Sequence, residues 1–438
     1  MYVYIEVVMN SIIFKIENLV WSVPLLLLLF FTHIYFTIKL RFPQKNIFKG
    51  LKYMLLSDKK NDSQGVSSFK SLMTILAGTL GTGNIVGIAT AITIGGIGSI
   101  FWIFVSGIFA IATKYAETYI VLKYRKKDND NVSYGGAMYV LKDRIDKKSL
   151  AVLFSIFVVI ASLGMGCMVQ SNAMSSVILS SFNINKYVLA LIVTVICSYA
   201  IFGDEKRISN ISSIIIPIAT TVYLYICFYA LYIYRFNILS GIKEIFSLAF
   251  NFKSVSGGIL GSVAIQAINQ GLSKGIFSNE AGLGSSPMFD STVKEKNIQK
   301  QSIISSTSVF IDTVILCTLT GVVIASSGVY KVCNEPLDVI TQIFSIIPYG
   351  KYLLIFSLSA FAIATIPCWS YYGKIGIKFL FNSKTFYQKI YKIIFTACVY
   401  IGAIATIESV WSISNIANAL MALPNIYMLF YLKDEIKC

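Results

Sequence analysis

The chain has 438 residues, 56% of them hydrophobic and 13% charged, with a mean hydropathy of +0.71. Soluble domains carry about 25% charged residues, so this composition excludes a water-soluble globule and points to an all-α, polytopic membrane protein. The net charge of +16 resides largely in short lysine-rich loops, as expected of cytoplasmic connections, and no nucleic-acid partner is expected.

Eleven spanning segments are expected in chain order. The first covers 19–40 and is followed by a basic loop with Arg41, Lys45, Lys49, Lys52, Lys59 and Lys60. The second, at 69–97, is interrupted. The third covers 98–124, the fourth 149–180, the fifth 186–202 and the sixth 208–234. The seventh, at about 255–290, is interrupted again. The eighth covers 299–326, the ninth 350–375, the tenth 386–406 and the eleventh 411–433, with a short capping segment near 337–348. The N-terminus has no charged-then-apolar-then-small cleavage pattern, so the first span is expected to act as its own signal. The basic loops follow segments one, three, five, seven and nine. That places the N-terminus outside, the C-terminus in the cytoplasm and the chain in the cell membrane.

The two interruptions carry the most information. The first is Leu76-Ala77-Gly78-Thr79-Leu80-Gly81-Thr82-Gly83-Asn84-Ile85-Val86-Gly87. The second runs from Ser273 to Ser285 and includes Gly275, Phe277, Ser278, Asn279, Glu280, Gly282 and Gly284. Lipid cannot satisfy the backbone groups of a broken helix, so they must face protein, water, an ion or a substrate. Paired breaks in two halves of a chain point to the binding site of a secondary transporter. The expected organisation is an N-terminal helix and basic loop (1–68), then two inverted five-span repeats (69–234 and 255–433), each opening with a broken helix.

At the first break, glycines permit unusual backbone geometry. The N–H groups around Thr82 and Gly83, at the start of the second half-helix, suit a carboxylate, and Asn84 can offer oxygen. Carbonyls near Gly275–Ser278 are expected to take an ammonium group. Glu280, an acid at membrane depth, is either functional or a partner for Lys274 or for freed N–H groups. Gln170, in the fourth span, either hydrogen-bonds a zwitterion or ties two helices together. Asp312 in the eighth span pairs helices or links a proton or sodium. In the ninth span Thr365 can ligate a hard cation together with backbone carbonyls of Ala77 and Leu80, and Trp369 can wall a small pocket.

No enzymatic constellation appears. The single histidine, His33, lies in the first span. There is no paired-His zinc motif, nucleophile elbow or phosphate-cradling loop. The eight cysteines form no metal or disulfide pattern.

Several ordered motifs resemble the alanine/glycine:cation symporter family, the sodium:alanine symporters. They are Gly78–Ile92, Phe101-Trp102, Ala112–Glu117, Met168–Asn172, Gly275–Ser285, Phe310–Thr313, Trp369–Gly373 and Ala419–Asn425. The resemblance covers about 20–433. It implies sodium-coupled, sometimes proton-coupled, uptake of alanine, glycine or a similar small neutral amino acid. The implied fold is similar to the neurotransmitter:sodium symporters, with one additional N-terminal helix. The expected substrate-binding residues are Thr82, Gly83, Asn84, Gln170, Gly275, Phe277, Ser278, Asn279 and Trp369. The expected sodium ligands are Ala77, Leu80 and Thr365. Sodium is the coupling ion, no cofactor is implied, and a monomer is expected. Ile97, Ala137, Cys167, Pro367, Cys368 and Lys374 depart from the family pattern, and Cys167 and Cys368 bear on pocket size and polarity. The alternative is a proton-coupled carrier of another small solute.

Overall fold

The computed structural model describes residues 12–17, 19–21, 23–56, 65–128, 132–251, 263–405 and 408–438. The start of the expected seventh segment (255–262), together with Lys59 and Lys60, lies outside the described residues.

The chain is mostly helical. Helix α1 spans Val23–Lys39 and α2 spans Ile47–Leu56. The two stretches meet at 68°, where Arg41 and Phe42 both adopt left-handed backbone angles. The first interrupted segment is α3 (Ser68–Thr79), a short 3-10 turn (Thr82–Asn84) and α4 (Val86–Gly95). Then come α5 (Ser99–Lys123), a two-strand hairpin pairing Lys126–Lys127 with Ser133–Tyr134, and α6 (Ala137–Asp143). The fourth expected span is α7 (Lys148–Leu163), a π-helical stretch (Gly164–Met168) and α8 (Val169–Leu179). Helices α9 (Lys186–Ile201), α10 (Glu205–Ile233) and α11 (Ile238–Ala249) lead to the second interrupted segment. That segment is α12 (Val263–Asn279), a loop, and the short α13 (Pro287–Asp290). Next are α14 (Ile298–Val309), a second π-helical stretch (Phe310–Cys317) and α15 (Thr318–Ser327), then α16 (Pro336–Ser345), α17 (Gly350–Leu380), α18 (Thr385–Ile404) and α19 (Glu408–Tyr431).

Among the described residues, six helices are long and apolar enough to cross a bilayer, or seven if the bent α1–α2 pair counts as one span. The expected count was eleven. The remaining expected spans have identifiable reasons for falling below that measure. The second and seventh are broken, and α9 has only 16 residues. Lys389 and Lys392 make α18 less apolar.

Small residues set the packing around the breaks. A Cβ on Gly271 would stand 2.6 Å from the Ser99 carbonyl, and one on Gly275 would stand 2.3 Å from Ser106 Oγ. This Gly-x-x-x-Gly face lets α12 lie directly on α5, as is common where membrane helices approach closely. Gly166 accommodates Trp369 of α17 in the same way, its Cβ position lying 2.2 Å from that of Trp369. The two broken segments are also joined at their edges. Val66 N–H donates to the Thr292 carbonyl at 3.1 Å, and Lys294 N–H donates to the Val66 carbonyl at 3.0 Å. Asp290 strengthens this junction by accepting from Ser71, Thr118, Gln301 and Ser305.

Candidate functional site

The first break frees carbonyl oxygens in a defined order. A regular helix would bond Gly81 N–H to the Ala77 carbonyl, four residues earlier. Instead Gly81 N–H donates to the Thr79 carbonyl at 2.9 Å and to Asn84 Oδ1 at 3.1 Å. The Ala77 carbonyl therefore points out of the helix and meets Thr365 Oγ1 at 2.8 Å. The same hydroxyl lies 3.4 Å from the Leu80 carbonyl and 2.8 Å from the Phe361 carbonyl of its own helix. A threonine hydroxyl has one proton to give, so it can fully satisfy one of these three acceptors. The result is a cluster of oxygens richer in acceptors than in donors, all three predicted sodium ligands among them.

Beyond this cluster, the half-helix start bounds a cavity of about 240 Å³ lined by Thr82, Gly83, Val86, Gly87, Thr90, Ala173, Lys274, Phe277 and Trp411. Phe277 and Trp411 stack with 6.3 Å between ring centroids. Lys274 Nζ sits 5.5 Å from the Phe277 centroid. The wall is mostly apolar, with a few polar groups and one cation, the usual make-up of a small-molecule site.

Of the predicted substrate residues, Thr82, Gly83 and Phe277 line this cavity. Gln170 adjoins it: its Oε1 accepts from Thr82 N–H at 3.3 Å and from Thr82 Oγ1 at 3.2 Å. Its Nε2 donates to the Met165 carbonyl at 3.3 Å, inside the π-helical stretch. Asn84 and Ser278 meet behind the cavity wall. Asn84 Nδ2 donates to Ser278 Oγ at 3.0 Å and to Asp312. Ser278 Oγ and Thr313 Oγ1 donate to Asp312 Oδ2 at 2.8 and 2.6 Å. Asp312 is thus the hub that joins the first break to the end of α12, a buried carboxylate with both oxygens bonded.

Three predicted residues stand elsewhere. Helix α12 continues to Asn279, so Gly275 lies within it and faces Ser106 instead of the cavity. The second break comes later, at residues 280–286, where Glu280, Gly282 and Gly284 have positive φ. Asn279 Oδ1 accepts from Ala281 N–H at 2.9 Å, closing the turn that ends the helix. Trp369 is fully buried, and its Nε1 donates to the Gly78 carbonyl at 3.2 Å, so it braces the first break from behind. Glu280 bonds Ser285, while Lys274 lies over Phe277 in the cavity wall.

Trp411 and Lys274 are cavity residues that pattern reading did not single out. Trp411 begins the last helix, far from either break in sequence. Lys274 reads as a possible ion-pair partner of Glu280, because the extent of α12 beyond Gly275 is not apparent from glycine content.

Residues 6–437 match the sodium:alanine symporter family. The chain is 34% identical over 438 residues to the sodium/alanine symporter AgcS of Methanococcus maripaludis, covering 97% of this chain and 95% of that protein. It is 29% identical over 433 residues to the probable sodium/glutamine symporter GlnT of Bacillus subtilis, covering 98% and 89%. Among solved structures, the fold is similar to that of MhsT in complex with L-phenylalanine. The TM-score is 0.59 at 15% identity, over 85% of this chain and 90% of that one.

Proposed function

Because the chain belongs to the sodium:alanine symporter family, a family of sodium-coupled amino-acid transporters, we propose that it takes up a small neutral amino acid, alanine or glycine, together with sodium. The observation that carries this reading is the acceptor-rich cluster of Ala77, Leu80 and Thr365 oxygens beside the Thr82–Gly83 cavity. Oxygen donors suit a hard cation, and a freed helix terminus beside a substrate cavity is how transporters of this architecture couple an ion to a solute.

In this reading the substrate carboxylate meets the N–H groups around Thr82 and Gly83, with Gln170 turning its amide from Thr82 to the substrate. Phe277 and Trp411 close over the side chain, which favours a small one. The ammonium group is met by carbonyls near Gly275–Ser278, of which those of Phe277 and Ser278 lie in the last turn of α12. Sodium replaces the hydroxyl proton as the partner of the Ala77 and Leu80 carbonyls. The chain comprises two inverted repeats (69–234 and 255–433), acts as a monomer, and holds its N-terminus outside and its C-terminus in the cytoplasm.

The test is uptake of labelled alanine and glycine into proteoliposomes under an inward sodium gradient. Gradient-dependent uptake is expected, competed by the other small amino acid and weakly by glutamine. The Gly83→Leu protein should insert and remain folded yet fail to bind, because the added side chain projects at Phe277, already 3.5 Å from a Cβ at that position. Uptake that ignores sodium, or full affinity in folded Gly83→Leu, would overturn the reading.

A further inference from the structure

Four carboxylates are buried among the described residues: Glu117, Glu280, Asp290 and Asp312. They are of two kinds. Asp290 accepts from Ser71 and Gln301 at Oδ1 and from Thr118 and Ser305 at Oδ2. Asp312 likewise has both oxygens bonded. Glu117 and Glu280 do not. Glu117 Oε1 accepts from Asn425 Nδ2 at 2.7 Å, and the backbone N–H groups of Gly282 and Gly284 bear on its carboxylate, although Oε2 makes no full hydrogen bond. Glu280 Oε2 accepts from Ser285, but Oε1 has no partner.

These two acids belong to one cluster around the second break. Lys114, three residues before Glu117 on α5, lies within electrostatic range of both, and its side-chain bond is to the Asn279 carbonyl at 3.1 Å. Asn425 of α19 joins Glu117 to the Gly282 carbonyl. The other titratable groups facing the pair are His33 of α1, Asp290 at the end of α13, Asp312, and Cys368 and Tyr372 of α17. His33 is bonded to Thr113 at 2.8 Å, while Asp290 and Asp312 are already saturated with donors. One lysine therefore stands against two buried carboxylates, of which Glu280, with Ser285 as its one donor, is the less satisfied. A buried charge lacking a partner is costly and is normally neutralised, and two carboxylates in one site titrate as a pair.

We infer that the Glu117–Glu280 pair binds one exchangeable proton, a third ligand of the transporter beside sodium and the amino acid. The proton comes from water and forms an O–H bond at Glu117 Oε2 or Glu280 Oε1. That carboxylate becomes a neutral acid, and the cluster with Lys114 becomes electrically neutral. On release the O–H bond breaks and the proton returns to water. The deprotonated pair then competes with the Asn279 carbonyl for Lys114. Asn279 directly follows Phe277 and Ser278, so the proton is placed to bias the end of α12 at the cavity.

Infrared spectroscopy of the purified full chain tests this without any transport assay. Near neutral pH the wild type should show one protonated carboxylic acid carbonyl band, shifted in D2O and lost as the pH is raised. Glu117→Gln and Glu280→Gln should each abolish it, because one carboxylate then balances Lys114, while Asp290→Asn should retain it. If a Gln variant fails to fold, Glu117→Asp and Glu280→Asp keep the acid and should move the band. A wild type with no such band from mildly acidic to mildly alkaline pH overturns the inference. So does a band that survives both Gln replacements. The coupling to α12 rests on the symport reading, and its readout is the pH profile of sodium-driven alanine uptake, which the Gln variants should flatten. Identical profiles in all three proteins overturn the coupling. A protein with the band but no uptake loses the symport reading and keeps the proton site.

Discussion

Thr365 Oγ1 lies 2.8 Å from the Ala77 carbonyl, although the two residues are 288 positions apart in the chain. The contact exists because α3 stops making helical bonds where α17 passes it. Replacing Thr365 with Val keeps the shape and removes the oxygen. A charge-assisted oxygen contact is worth about 1.5–3 kcal/mol, so the sodium concentration for half-maximal uptake should rise by roughly ten- to a hundredfold. Thr365→Ser should stay near wild type. Unchanged sodium dependence in Thr365→Val would place the ion elsewhere, with the Asn84–Asp312 cluster next to be tried.

Gln170 holds Thr82 through both its N–H and its hydroxyl. Gln170→Ala should weaken alanine binding by roughly 1–3 kcal/mol, the cost of leaving a buried polar partner unpaired. The melting temperature should move less than the affinity, since Thr82 can bond substrate or water. Isothermal titration alongside thermal unfolding separates the two, and a large stability loss with little change in affinity would make Gln170 a structural tie.

Lys274 puts a positive charge in an otherwise mostly apolar cavity wall. Lys274→Met keeps the stem over Phe277 and removes the charge. Uptake of alanine should then lose part of its dependence on ionic strength, because a focused charge attracts an anionic group over a screened distance. Equal salt dependence in both proteins would show that Lys274 acts through packing alone.

At the cytoplasmic rim of the proposed topology, Glu435 accepts from Lys123, Tyr124 and Arg144. Partial burial works to raise its pKa, but these three bonds outweigh it and hold the carboxyl at about 2 against an ordinary 4.5. A lowered folded-state value contributes stability that is complete above about 4.5 and is lost as the pH falls towards 2. Glu435→Gln should therefore cost up to about 1 kcal/mol near neutral pH, as befits a largely solvent-facing ion network. The difference from wild type in thermal unfolding should shrink on acidification below the ordinary carboxylate range. A constant difference across that range would remove the electrostatic account.

The sequence made the breaks legible because glycine and hydroxyl residues have little other reason to cluster inside an apolar run. The first break falls where Thr79–Asn84 places it, and Thr365 Oγ1 stands 2.8 and 3.4 Å from the Ala77 and Leu80 carbonyls. The second break occupies only the later part of the Ser273–Ser285 stretch: Gly275 looks like a breaker, yet it serves as a contact surface for Ser106. Distinguishing a glycine that bends a helix from one that packs it requires knowing the neighbouring helix, which a single sequence does not supply. Trp411 was invisible for a related reason. It reaches the cavity only because α19 begins opposite Phe277.

Both helices that carry central polar residues contain a π-helical stretch, Gly164–Met168 just ahead of Gln170 and Phe310–Cys317 around Asp312. A π turn holds one residue more than an α turn. Each of these helices thus stores a residue of slack at membrane depth. Drawing it out would turn the flanking segment by about 100° and advance it by about 1.5 Å, without unwinding either end. The amide and the carboxylate are mounted on adjustable threads. Sequence changes that add or delete a single residue in these two stretches should be tolerated better than the same changes in α5, whose uninterrupted turns have none to spare.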